Sequence, residues 1–435
     1  MSEPSVSQPA APQRAGAWWP APTASQPVDA TVSLPGSKSQ TNRALPIAAL
    51  ADSPSVVRRA LRSRDTDLMA GALRALGIAV EDSGQDWTVT PTALRGAADI
   101  ECGLAGTVAR FALALASLAT GTVQFDGAPR ARERPLRPLV EGLRQLGVTV
   151  DDDGRGTLPL SIIGKGSVRG GDVTIDSSTS SQFISALLLI APKADDEIVL
   201  RHRGAALPSE PHIAMTVSML RERGITIDAT VYGTWRVAPG TIAGGVIDIE
   251  PDLSNAGPFL AAAMVTAGSI HIAGWPHHTS QPGDAFRGLL RDMGATVTVD
   301  ETGLTLRGAS TIHGVDVDLR ENSELTPTIA ALACFADAPS TLRGIGHIRG
   351  HETDRLAALA KEINGLGGDV TETDDGLIIK PKPLRGGIFG THDDHRLATT
   401  AAVLGLVVPG VLVENIATTA KTMPTFVDLW ESLLV

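Results

Sequence analysis

Lys38, Ser39 and Arg43 follow the turn Leu34-Pro35-Gly36-Ser37 and lead into an apolar run from Ala44 to Ala51. Small residues and cations at the mouth of a helix suit an oxyanion, because the first turn carries unpaired N–H groups and a partial positive charge. A nucleotide P-loop is excluded by spacing: Ser37 separates Gly36 from Lys38, and Thr31 stands where the pattern needs its first glycine. Similar mouths recur, with polar residues running straight into apolar stretches near Ser37, Gly106, Ser180, Ser254, Glu324 and Asp394. Ser, Thr, Asn and Asp cap helices in any protein. Capping does not explain the cations that accompany these starts at Lys38, Arg43, Arg110 and Arg396. Further cations stand in Arg130-Ala-Arg132-Glu-Arg134, His351-Glu-Thr-Asp-Arg355 and Ala420-Lys421-Thr422. Converging arginines match carboxylate and phosphate.

Other chemistries find less support. His351-Glu352 lacks the second histidine of a zinc-protease helix, since Arg355 stands there. His392-Asp393-Asp394-His395 adjoins Arg396, which would repel a metal ion, so no metal site is expected. The formal charge of −11 and an aromatic content of 3% argue against nucleic acid and anionic membranes as partners. The longest apolar runs, such as Leu397 to Pro409, are too short for a membrane span. Cys102 and Cys334 form no CxxC pair, and residues 1–27, rich in Pro, Ala, Ser and Gln, lack the apolar core of a secretory signal. A disordered tail over 1–27 and a cytoplasmic protein are the expectation.

The elements that must position these residues form a repeat. Gly77, Gly147, Gly224, Gly294 and Gly367 each close a helical pattern and open a β-type run, at a nearly constant interval. Between them lie helices apolar all round, such as Phe183 to Ile190 and Thr328 to Phe335, which must be buried on every side. The unit reads strand, buried helix, strand, amphipathic helix, strand, strand. The last amphipathic helix, Phe426 to Leu434, has no strand after it, and the strand Ala30 to Leu34 has no helix before it. The N-terminal strand is therefore expected to complete the C-terminal unit. An α/β fold of two similar domains follows, each of three βαβαββ units, joined by a two-strand hinge. The domains are 28–34 plus 251–435, and 35–250, with crossings at Leu34-Pro35-Gly36 and Glu250-Pro251-Asp252.

The motifs LPGSKSQTNRA, AGTVARF, RERP, SSTSSQF, LPSEPH, HETDRL, DDHRLA and TAKTMP, in this order over nearly the whole chain, resemble the 5-enolpyruvylshikimate-3-phosphate synthase family. The GHETDR and AGTVARF variants look like those of actinobacterial members. The resemblance implies the enolpyruvyl transferase fold with pseudo-threefold symmetry. It also implies transfer of the enolpyruvyl group of phosphoenolpyruvate to the 5-hydroxyl of shikimate 3-phosphate, with release of phosphate through a noncovalent tetrahedral intermediate. That is 3-phosphoshikimate 1-carboxyvinyltransferase activity, in aromatic amino acid and chorismate biosynthesis, by a monomer without cofactor. By match to the family's motifs, Lys38 serves both substrates. Ser39, Arg43, Ser180, Ser181, Ser209 and His351 hold shikimate 3-phosphate, and Gln182 lies between both substrates. Gly106, Arg134, Arg355, Arg396 and Lys421 match the phosphoenolpyruvate site. Glu324 matches the acceptor of the hydroxyl proton, and Glu352 and Lys38 are the candidates for protonating the methylene carbon.

The chain departs from many relatives at Glu324, where Asp is common, at His351 (Lys), at Leu104 (Asn) and at His212 (Tyr). His351 could meet the substrate as a cation, giving a pH-dependent affinity, or as a neutral hydrogen-bond partner. The alternative activity is enolpyruvyl transfer to UDP-N-acetylglucosamine. That branch carries a reactive cysteine in the loop matching Asp126 to Pro135, where this chain has none.

Overall fold

The computed structural model describes residues 18–434. Two hydrophobic cores organise them. One gathers residues from Ala44 to Ile249, and the other gathers Ala21, Val28 and Val32 with residues from Leu253 to Leu433. Around them lie five four-stranded sheets and one three-stranded sheet.

The unit centred on Thr120–Asp126 shows the plan. Ala98–Glu101 runs parallel to that strand, Leu160–Lys165 pairs with its other side antiparallel, and Thr149–Asp151 lies beyond as the outer strand. The crossover between the parallel strands is the helix Gly106–Ala116, in which every residue from Thr107 onward is buried. A parallel connection needs such a crossover, and an all-apolar helix is stable only inside a core. Arg137–Gln145 is the amphipathic helix of the unit, and Gly147 after it has φ 82°. Gly77, Gly224, Gly294 and Gly367 sit in the same left-handed region, where a side chain would strain the exit from the helix.

Each core is built on three buried helices: Lys38–Ala49, Gly106–Ala116 and Gln182–Ile190 in the first, and Gly257–Thr266, Thr326–Ala333 and His395–Gly405 in the second. Two sheets take their edge strand from a segment that adjoins a chain crossing. Asp29–Val32 lies parallel to Ser269–Ile272 in the second half, after which the chain enters the first half at Lys38. Gly245–Asp248 lies parallel to Ser55–Arg58 in the first half, after which the chain enters the second. The two crossings touch each other: Ser37 N–H donates to Glu250 O at 2.8 Å, and Asp252 N–H to Pro35 O at 2.9 Å. Gly36 sits at that contact, where a Cβ would lie 2.1 Å from the carbonyl oxygen of Arg59.

Two expectations are corrected. The N-terminal strand does not complete the C-terminal unit. It joins the sheet of Ser269–Ala273, and Trp19–Pro20 pairs with Leu412–Val413 in its stead. Residues 18–27 are accordingly folded and not a disordered tail, with Ala21 buried and its N–H bonded to Val411 O at 3.0 Å. Proline made this stretch read as tail, yet an edge strand tolerates proline because its outer groups need no partner. Residues 1–17, the rest of the expected tail, lie outside the described residues. No helix among the described residues is long and apolar enough to cross a membrane.

Candidate active site

The buried helices bring their N-terminal ends to a cavity of about 120 Å³ between the halves. Lys38, Ser39, Arg134, Ser180, Ser181, Gln182 and Ser209 line it from the first half; Glu324, His351, Glu352, Arg355 and Arg396 line it from the second. Each is placed by local chemistry. Ser37 caps the helix that starts at Lys38, its side chain accepting from Gln40 N–H. Lys38 N–H donates to Asp252 Oδ2 at 2.9 Å, which ties the helix start to the hinge. Asp394 caps the helix that starts at His395, accepting from Arg396 N–H at 2.8 Å. The same carboxylate takes Arg355 Nε–H at 2.7 Å and Nη2–H at 3.2 Å, so one buried Asp caps this helix and orients the Arg355 guanidinium. A side chain at Gly106 would displace two guanidinium groups, since a Cβ would lie 2.5 Å from Arg110 Nη1 and 2.9 Å from Arg134 Nη1.

Three expected residues stand behind the wall. Arg43 is 1% exposed and spends its guanidinium on the protein: Nε–H on Thr216 Oγ1 at 2.7 Å, Nη1–H on Ser39 O at 2.9 Å and Nη2–H on His212 O at 3.0 Å. It supports the Ser39 and His212 backbone of the wall. Lys421 is buried against Glu352 in an ion pair, and Gly106 lies beneath the arginines. Of the RERP region only Arg134 faces inward; Arg130 and Arg132 pair with Glu133 and Asp126 at the surface.

The electrostatics favour anions. Burial pushes the Lys38 ammonium down, although Asp65 opposes this, and burial together with Arg355 pushes Arg396 down. Burial likewise lowers Arg110, with Arg134 adding to it. Cations held against both desolvation and mutual repulsion are relieved when a phosphate or carboxylate enters. The acids remain ionised. Burial works against the charge on Glu324, but His212 and Arg396 hold its carboxyl well below the usual range. Burial also opposes the charge on Glu352, and Lys421, Arg355 and Arg134 overcome it.

His351 is resolved by geometry. Arg355 Nη1 lies 3.1 Å from His351 Nδ1, and a guanidinium can only donate, so Nδ1 accepts and the ring is neutral. Burial and Arg355 push its pKa well below the ordinary value. The cationic reading is set aside.

Sequence reasoning missed His347, Asp252 and Ser323, which also line the cavity. His347 Nε2 meets Ser323 Oγ at 2.8 Å, one residue before Glu324. The sole signal for Asp252 was its place at the hinge crossing, and for His347 its position four residues before His351.

The family profile described as EPSP synthase (3-phosphoshikimate 1-carboxyvinyltransferase) matches residues 22–430. The chain belongs to the EPSP synthase family. A 3-phosphoshikimate 1-carboxyvinyltransferase from Kocuria rhizophila is 54% identical over 428 residues, covering 96% of each chain. Among solved structures, the EPSP synthase of Acinetobacter baumannii superposes with a TM-score of 0.80 at 23% identity, over 96% of this chain and 97% of that one. An enolpyruvyl transferase from Streptomyces tendae does so with a TM-score of 0.75 at 20% identity, over 94% and 96%. The architecture is the enolpyruvyl transferase fold. Within this EPSP synthase family member both thiols are remote from nucleophilic chemistry: Cys102 and Cys334 are buried, and burial pushes each up to about 12.

Proposed function

We propose that the chain transfers the enolpyruvyl group of phosphoenolpyruvate to the 5-hydroxyl of shikimate 3-phosphate, releasing phosphate, as a shikimate-pathway transferase. Besides family membership, one observation supports this most: Lys38, Arg134, Arg355 and Arg396 share a single cavity with two ionised carboxylates, Glu324 and Glu352. Two phosphates and a carboxylate need such cations, and proton transfer needs a base and an acid.

In this reading Glu324 accepts the proton of the 5-hydroxyl as that oxygen attacks C2 of phosphoenolpyruvate. The methylene carbon takes a proton in the same addition. Lys38 suits this step better than Glu352, because burial lowers the ammonium whereas Lys421 and Arg355 keep Glu352 deprotonated. Elimination then returns a proton from the new methyl group and expels phosphate. Ser39, Ser180, Ser181, Ser209 and His351 hold shikimate 3-phosphate, with Arg43 supporting Ser39 from behind. Arg134, Arg355 and Arg396 hold phosphoenolpyruvate, with Gln182 between the substrates. The serine set is hydroxyl-rich as a phosphate site requires, and in the arginine set the Arg355 guanidinium is pre-oriented by Asp394. The chemistry needs no metal or organic cofactor.

The halves, 35–250 against 28–34 plus 251–435, act as domains that close on the substrates, each with its own core and with two crossings between them. We place the reaction in the cytoplasm, as the work of a monomer. One chain supplies both walls of the cavity, and its cysteines are unpaired.

Phosphate release measured with each acceptor tests the assignment. Release with shikimate 3-phosphate and none with UDP-N-acetylglucosamine is expected. The reverse pattern would overturn it.

A further inference from the structure

Two turns meet across the cleft beside Glu324. Ser209 N–H donates to Arg320 O at 2.9 Å, and Ser209 Oγ lies 3.4 Å from Ser323 Oγ. Three residues on from Ser209, His212 Nε2 lies 3.3 Å from Glu324 Oε1. Ser209 holds φ 50°, a left-handed conformation uncommon for a non-glycine residue. His212 itself is firmly seated: its carbonyl takes Arg43 Nη2–H at 3.0 Å and Thr216 Oγ1–H at 3.1 Å, and its N–H donates to Ser209 O at 3.0 Å.

With Glu324 ionised, the imidazole proton belongs on Nε2, facing the carboxylate. Nδ1 is buried and finds no partner among the described residues. On its own half, Glu324 has Ser254 Oγ at 3.3 Å as a further donor to the same oxygen. The other charged or titratable groups that face it are Arg396, Arg355 and His347 on its own half and Arg43 on the opposite one. Among the described residues, only His212 reaches it from across the cleft within hydrogen-bonding range.

We propose that His212 is a positioning residue for Glu324: its Nε2–H holds the carboxylate from the opposite half, so the base is set only when the turn Ser209–His212 has docked on Arg320–Glu324. The inference rests on Glu324 being the hydroxyl-proton acceptor. Closure and arming of the base are then one event. Glutamate has an additional rotatable bond compared with aspartate, and a second donor at Oε1 removes that freedom. The same donor favours the ionised form, so the base stays ready at lower pH.

His212→Phe keeps ring bulk without a donor, and His212→Gln restores an N–H at similar reach. For His212→Phe the expected result is a roughly tenfold to hundredfold fall in kcat, the span for a hydrogen bond to a charged group. The acid limb of its kcat–pH profile moves to higher pH, because loss of the donor raises the Glu324 pKa. His212→Gln regains most of kcat and returns the limb toward wild type. A loss confined to KM for shikimate 3-phosphate, with kcat and the limb unmoved in His212→Phe, overturns the proposal and makes His212 a plain substrate contact. If His212→Phe does not fold, His212→Leu, which also lacks the donor, is read by the same two measurements: a rise in KM alone with an unmoved limb overturns the proposal. Failure of the assigned activity itself is separate: wild type would then release no phosphate with shikimate 3-phosphate.

Discussion

Asp394 sits wholly buried between Arg355 and the start of the His395–Gly405 helix, and its carboxylate meets Arg355 Nε at 2.7 Å. One side chain thus caps a helix and aims an arginine from another segment into the cavity. Removing one partner of a buried ion pair leaves the other charge uncompensated, which costs on the order of 3–5 kcal/mol. Asp394→Asn, which retains a capping oxygen, is expected to lose about that much in chemical denaturation and to weaken phosphoenolpyruvate binding. Wild-type stability and affinity in the variant would show that Glu352 alone, 3.0 Å from Arg355 Nη2, suffices.

Lys38 and Arg396 face the cavity from opposite halves, and burial works against the charge on each. Lys38→Ala and Arg396→Ala should each lose at least roughly a hundredfold in kcat/KM, as for preorganised groups in a water-poor site. Losses of only a few-fold would remove them from the reaction.

Three histidines near the site, His395 buried and His347 and His351 half-buried, set an acid limit. Burial pushes His347 down to about 4 and pushes His351 and His395 well below their ordinary value. Their folded pKa values lie below the unfolded value of about 6.5, so the unfolded chain binds more protons in that window. The stability they contribute is present above about pH 6.5 and is lost as pH falls toward about 4. Denaturation midpoints should fall between pH 7 and pH 5. Because His351 stays neutral, KM for shikimate 3-phosphate should remain level across the neutral range. A KM that rises through neutrality would restore the cationic reading.

Cys102→Ser and Cys334→Ser should retain near wild-type turnover, because both thiols are buried and pushed up to about 12. Iodoacetamide should leave the folded enzyme active. Inactivation, or a dead serine variant, would reopen a covalent route.

Much of this was legible in the linear order of residues. Gly147 after Arg137–Gln145 and the apolar run Phe183 to Ile190 announce a helix end and a buried helix, because both depend on local backbone freedom and on periodicity. The polar starts at Ser39, Ser180 and Arg396, which line the cavity, stood out for the same reason: a helix N-terminus is a local feature, and the family motifs fall on it. Counting strands against helices led to the expectation of chain crossings near Gly36 and Pro251, where Ser37 N–H meets Glu250 O. Long-range partners did not follow. Trp19–Pro20 on Leu412–Val413, and Asp29–Val32 on Ser269–Ile272, join strands far apart in sequence, and nothing local selects between edge positions of similar sheets. Tertiary packing alone decided that Arg43 lies behind Ser39, that Arg355 holds His351 neutral, and that His212 reaches Glu324 across the cleft. Charge state and reach depend on burial and on which groups arrive from other segments, and those are properties of the folded interior.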